Sequence, residues 1–336
     1  MKDSSYGKAL TIADIADALG VSKTTVSRAI SGKGRIGEST RKKVLDYINL
    51  HDYKPNVIAQ SLAQSKTFNV CAVMPDNYSM TDMPFFRNSL MGVVETVCAM
   101  GYDVIVTISR DKDISNLERV ISNHKVDGVV LLRTIVDDPA VRYLKEKGVP
   151  FVVLGSVPDE EVTQVDSNHR EACKEMTSIL LMKGMRKIAL IGGNETHIVT
   201  RSRLAGFLDA YQDMHIPVQE ELIYQNIENR VMAERAVNEA MTKDIDGIMC
   251  MDDTICSYVL NKFDRDGIKV PEDVRLASFY SSAMLENHIP SITSLKFDMK
   301  ELGRVCGKLL LEKIEGEKVR QSTILGYEVV LKESTK

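Results

Sequence analysis

The side chains best placed to do chemistry lie near the start of the chain. Lys23, Thr24, Ser27 and Arg28 fall on the polar side of a short segment that also carries Val26. An Arg fork can donate two hydrogen bonds to a guanine edge, and Lys, Ser and Thr can reach base edges or phosphate oxygens. The set suits the reading of nucleic acid, not the making of bonds. The flanking residues say how it is held. Thr11 precedes Ile12, Ile15, Ala16 and Leu19 at helical spacing, and Asp14 three residues on completes a capping-box start. Gly20 ends that helix by taking a positive φ at little cost. Ser22 is the N-cap of a second helix, Lys23 to about Ile30. A third is expected from Ser39 or Thr40 to His51, with Val44, Leu45 and Ile48 inward and Arg41, Lys42 and Lys43 outward. Two short helices around a tight turn form a helix-turn-helix, whose second helix enters the major groove and reads bases mainly from its N-terminal residues.

Charge agrees with this reading. Residues 1–66 carry 11 Lys and Arg against 6 Asp and Glu, a net +5, while the remainder is net −9. A basic head on an acidic body turns the head toward phosphate and keeps the body off it. The chain has 336 residues, room for two or three domains, and 44% of them are hydrophobic. No apolar run is long enough to span a bilayer, and the polar start does not read as a signal peptide, so a cytoplasmic protein is expected. Cys71, Cys98, Cys173, Cys250, Cys256 and Cys306 show no CxxC spacing and read as reduced, small, mostly core residues. No zinc spacing, HExxH or GxSxG occurs, so no metal, cofactor or catalytic residue is expected. Gly32 to Gly37 spells GxGxxG, but no strand precedes it, and a dinucleotide site requires one.

From Phe68 onward, β-branched runs alternate with helical patterns. Strands are expected at Asn69–Met74, Asp103–Ile108, Gly128–Leu132, Phe151–Leu154, Lys187–Ile191, Gly247–Met251 and Val274–Ser278. Helices are expected at Phe85–Met100, Arg170–Lys183, Ser202–Asp213 and Thr254–Asp266. Continuous apolar strands separated by helices mean parallel sheets covered on both faces, and the order repeats as two similar lobes.

The stretches VSKTTVSRAISGKGRIGESTRKKV and YKPNVIAQSLA resemble the lactose/galactose-repressor (LacI/GalR) family of transcription regulators. The resemblance continues through VMPD at 73–76, PFF at 84–86, VDSN at 165–168, RLAGF at 203–207 and VPEDVRLASF at 270–279. It implies an α/β fold: an N-terminal helix-turn-helix domain plus a two-lobed, periplasmic-binding-protein-like effector domain with parallel sheets. The implied divisions are a DNA-binding domain at 1–55, a hinge helix and linker at 56–67, and an effector-binding and dimerisation domain at 68–336. Its first lobe would comprise 68–167 and 298–327, and its second 168–297 and 328–336. The implied partners are double-stranded operator DNA, a small-molecule effector (a sugar or other metabolite) and a second copy of the chain in a homodimer, with no membrane involved. The DNA contacts would be Thr11, Ser22, Lys23, Thr24, Ser27, Arg28, Asn56, Gln60 and Leu62, with Leu62 wedged into the minor groove. The chain departs from the family at Gln60, commonly Arg, and at Ser31, commonly Asn.

In α/β lobes the ligand belongs at the carboxyl ends of the strands. Arg203, in RLAGF, offers a planar donor fork for hydroxyls or carboxylates. Asp253 can accept from a ligand or cap the next helix, and Asp76 can do either as well. One of Phe85 and Phe86 can stack on a flat ligand face while the other fills core. His197, Asn229 and Tyr280 complete the expected pocket. Gly155 and Tyr280 stand where many relatives have acidic residues, which argues against carrying over a sugar specificity. The regulator is expected to be a repressor, although ligand could release DNA or promote its binding. The rival reading is a sugar- or nucleotide-processing α/β enzyme fused to a DNA-binding head.

Overall fold

The computed structural model describes residues 10–32, 34–53, 65–76, 84–110 and 112–336. The chain divides into two compact units, with the break between Thr67 and Phe68. The expected hinge contacts Asn56, Gln60 and Leu62 lie outside the described residues.

The first unit holds α1 (Ile12–Leu19), α2 (Lys23–Ser31) and α3 (Glu38–Leu50). Both reciprocal bonds of the Thr11–Asp14 capping box form, and Gly20 closes α1 at φ 65°. The Ser22 hydroxyl accepts from the Thr25 amide at 3.1 Å and so starts α2. Ile15, Ala16, Val26, Ala29, Val44 and Tyr53 form the small core. Val44 and Ile48 pack as expected, but Leu45 is 38% exposed, because the third helix turns it past the rim of so small a core. Arg41 donates to the Gly32 carbonyl and ties α3 to the end of α2.

The second unit contains two six-stranded sheets. The first is built from β1 (Asn69–Pro75), β2 (Asp103–Ser109), β3 (Gly128–Leu131), β4 (Phe151–Leu154), β5 (Gln164–Ser167) and β11 (Ser322–Leu325), in the order β11-β5-β4-β3-β1-β2, all parallel. Three helices separate its strands: α4 (Pro84–Ala99), α5 (Ser115–Ser122) and α6 (Pro139–Lys147). The second sheet uses β6 (Ile188–Ile191), β7 (Ile223–Tyr224), β8 (Gly247–Cys250), β9 (Arg275–Ser278), β10 (Thr293–Phe297) and β12 (Tyr327–Val330). Its order is β12-β10-β9-β8-β6-β7, parallel except that β12 runs antiparallel to β10. That exception was not expected; β11 ends at the carboxyl edge of the first sheet, and the chain passes through the single residue Gly326 into the second sheet from its carboxyl edge, so β12 runs against β10.

The chain passes between the lobes three times. Asn168 joins β5 to α7 (His169–Met182), Asp298 joins β10 to α12 (Met299–Ile314), and Gly326 joins β11 to β12. Both lobes alternate strands and helices because β3, β4, β6 and β8 are buried along their whole length and need helices on both faces. In the second lobe these are α8 (Ile198–Asp213), α9 (Arg230–Met241), α10 (Asp253–Asp266) and α11 (Ala283–Asn287). α8 begins four residues earlier than its apolar pattern suggested. It presses on α7 at Gly206, where a Cβ would lie 2.1 Å from the Arg170 carbonyl oxygen. That contact fixes the depth at which α8 carries Arg203.

Candidate DNA-reading helix and interlobe cleft

On the first unit, Ser22, Lys23, Thr24, Ser27 and Arg28 are all exposed along α2, while Val26 and Ala29 are buried beneath them. The helix therefore presents one hydroxyl- and cation-bearing face. The Ser22 hydroxyl is partly committed to capping, and the Thr11 hydroxyl bonds Asp14 at 2.6 Å, so each brings to a partner only its remaining capacity. The Arg28 side chain runs beside Gly34, where a Cβ would come within 3.1 Å of its Cδ and Nε. A glycine there lets the guanidinium lie along the loop.

Within the second unit, a cavity of about 110 Å³ lies between the two lobes, at the carboxyl ends of β3, β4, β5, β6 and β8. Six expected contacts line it: Phe85, Phe86, His197, Arg203, Asp253 and Tyr280. Arg203 is 7% exposed and donates through Nη1 to the Met251 carbonyl, while its Nε is buried without a protein partner. Phe85 from the first lobe meets Tyr280 from the second edge-on, with centroids 6.2 Å apart. Phe86 belongs to the core and Phe85 is only partly buried, which makes Phe85 the more available face.

Two expected contacts do not line the cavity. Asp76 instead pairs with Arg110 at 2.7 Å, because the neighbouring strand end supplies a cation closer than any ligand would be. Asn229 is exposed and caps α9, accepting from the Met232 amide at 3.0 Å. For Asp253 the alternatives separate: Asp252 is the cap of α10, accepting from the Ile255 amide at 2.7 Å, and Asp253 is left to face the cavity.

Four ionisable residues of the cavity wall were not anticipated: Arg133, Asp166, His169 and Asp252. Asp166 ends up here because β5 delivers it to the sheet's carboxyl edge, and His169 Nε2 lies 3.5 Å from its Oδ1. The i, i+3 spacing in DSNH and the paired acids after β8 were the available signals. Burial pushes the carboxyls of Asp166 and Asp253 up to about 6, and raises that of Asp252. Burial also holds the His169 ring well below the usual histidine range, with Arg203 adding to the effect, so the ring is neutral. Gly155, at φ 110°, lies against Thr134, whose Oγ1 would be 2.9 Å from an added Cβ. The acidic residue found in many relatives has no room at this position.

Beside the cavity, the lobes are bridged by backbone. Val136 donates to the Thr196 carbonyl at 2.9 Å, Ile198 donates to the Thr134 carbonyl at 3.5 Å, and Ile135 pairs with His197. Side chains shape both strips. Asp138 accepts from the Ile135 and Ala140 amides, and Asn194 accepts from the amide and hydroxyl of Thr196. The lobes are thus joined by backbone bonds besides the three crossovers.

A helix-turn-helix head followed by a two-lobed α/β body with an interlobe cavity defines a DNA-binding transcription regulator. The comparisons narrow the class. Residues 11–56 match bacterial regulatory proteins of the lacI family, and residues 177–335 match the periplasmic binding protein-like domain. The HTH-type transcriptional regulator CelR of Thermobifida fusca is 29% identical over 314 residues, covering 91% of this chain and 92% of that protein. Catabolite control protein A of Staphylococcus aureus is 26% identical over 97% of this chain and 99% of its own length. The solved transcriptional regulator CelR–cellobiose complex superposes with a TM-score of 0.74 at 27% identity, over 97% of this chain and 99% of that one. The chain belongs to the LacI family of bacterial transcription regulators.

Proposed function

We propose that the chain is an effector-controlled repressor that binds a palindromic operator as a homodimer. The observation that carries this reading is the pairing, in one chain, of an exposed α2 face with an interlobe cavity lined by the buried Arg203. Residues 1–55 bind DNA, 56–67 form the hinge, and 68–336 bind effector and dimerise. Ser22, Lys23, Thr24, Ser27 and Arg28 contact the operator, with Thr11 at its edge, and Asn56, Gln60 and Leu62 act at its centre. Phe85, Arg203, Asp253 and Tyr280 hold the effector, which leaves chemically unchanged. The operator places the protein in the cytoplasm. Exposed Val106 and Ile108 on the edge strand β2 offer apolar surface for a second copy.

Effector binding and operator binding are linked through lobe orientation, so each changes the other's affinity by the same factor. The test is operator retention by the full chain with and without small metabolites. Arg203→Ala is expected to retain operator binding and lose the metabolite response. A mutant that responds with wild-type affinity would remove Arg203 from the site.

A further inference from the structure

The cavity's charges say what kind of effector it takes, given that the cleft is the effector site. Three carboxylates line it, Asp166 from the first lobe and Asp252 and Asp253 from the second. Arg203 lies within electrostatic reach of all three. The other guanidinium on the wall, Arg133, also lies within electrostatic reach of Asp138, with which it lines a small void on its far side. His169 is neutral, and among the described residues His197 and Tyr280 are the other titratable groups facing the space. Among the described residues, two guanidinia, Arg133 and Arg203, therefore stand against three buried carboxylates, and negative charge remains in excess by one.

Such an excess is costly where the carboxylates are buried, because desolvated charge must be neutralised or paired. The carboxyls of Asp166 and Asp253 respond by shifting up to about 6. An anionic ligand would add to the excess. A neutral ligand would satisfy lone pairs but leave the net charge in place. A cation would cancel it, and the rings of Phe85 and Tyr280 on the same wall offer further attraction to positive charge. One feature requires more than a bare cation. Arg203 Nε, on a side chain 7% exposed, has no acceptor from the protein, and neither does His169 Nδ1.

We infer that the effector is a small organic cation: an amine that also carries an acceptor oxygen, its ammonium taken by the cavity carboxylates and its oxygen by Arg203. The cavity volume of about 110 Å³ limits it to a compact molecule with the lobes closed.

The test uses the full chain and two series in which charge changes on a fixed scaffold: D-glucosamine, D-glucose and D-glucuronate, and ethanolamine, ethylene glycol and glycolate. Affinity is read by calorimetry and by thermal shift. In at least one series the amine is expected to bind about tenfold tighter than its neutral partner, the effect of one charge-assisted hydrogen bond, and the acid weakest. Asp253→Asn is expected to erase that preference; its melting transition without ligand reports that it folds, and Asp166→Asn gives the same readout from the other lobe. A neutral or acidic member binding best in both series overturns the proposal, as does failure of both amines to bind. Operator release by an acidic or neutral member would leave the effector reading standing and remove only its charge class.

Discussion

At the scale of the residue, Asp253 illustrates how a binding site departs from a stable core. Burial lifts its carboxyl from 3.8 to about 6, so between those values the folded chain holds a proton that the unfolded chain has lost. Stability then falls as pH rises through that window, and the penalty is complete above the folded-state value. Asp253→Asn is therefore expected to raise the melting temperature of the ligand-free protein above that window. The gain is on the order of 1–3 kcal/mol and should vanish below the ordinary aspartate value. Differential scanning calorimetry across pH checks it, and a mutant less stable at high pH would contradict it. On α2, Arg28 is exposed and free to fork onto a base pair. Arg28→Ala is expected to weaken operator binding by roughly 1–3 kcal/mol and to relax preference at one position. Binding-site selection with both proteins measures this.

At the scale of the element, the strips 134–136 and 196–198 join the two lobes beside the cavity and are expected to act as a clasp. Opening it breaks backbone bonds that hold no ligand atom, so it should govern entry and exit more than the chemistry of recognition. Val136→Pro removes the amide that donates to Thr196. With one hydrogen bond worth about 1 kcal/mol net, effector dissociation is expected to accelerate about fivefold, read by stopped-flow release. An unchanged release rate would show that the clasp does not gate the site. The clasp was not legible in sequence, since neither strip has strand patterning. The strips meet only because α6 and α8 start where they do. Asp166 was hidden for a different reason: its strand β5, QVDS, lacks the unbroken apolar run that marked the equally short Phe151–Leu154.

At the scale of the molecule, charge is divided between a head of net +5 and a remainder of net −9. Operator affinity is therefore expected to fall steeply with salt, with a log–log slope of about −0.9 per phosphate neutralised. Effector affinity should change far less, because its charges are enclosed with low access to counterions. Titrations of the full chain at several salt concentrations compare the two. Equal slopes would place the effector on an exposed basic surface instead of in the cleft.

Arg203 as a cleft residue came from the family resemblance at RLAGF; the sequence by itself determined the caps, the helix-turn-helix and the alternation of strands and helices. These are local matters: Thr11, Ser22 and Gly20 act through neighbours within a turn, and buried parallel strands announce themselves as unbroken apolar runs. Tertiary structure alone decided which polar residues at strand ends face the cavity. Asp76 and Asp253 occupy similar positions after strands, yet one is drawn to Arg110 and the other to the cavity. That choice depends on which charge arrives from a distant part of the chain, and a desolvated carboxylate follows its nearest partner, whose location no local spacing encodes.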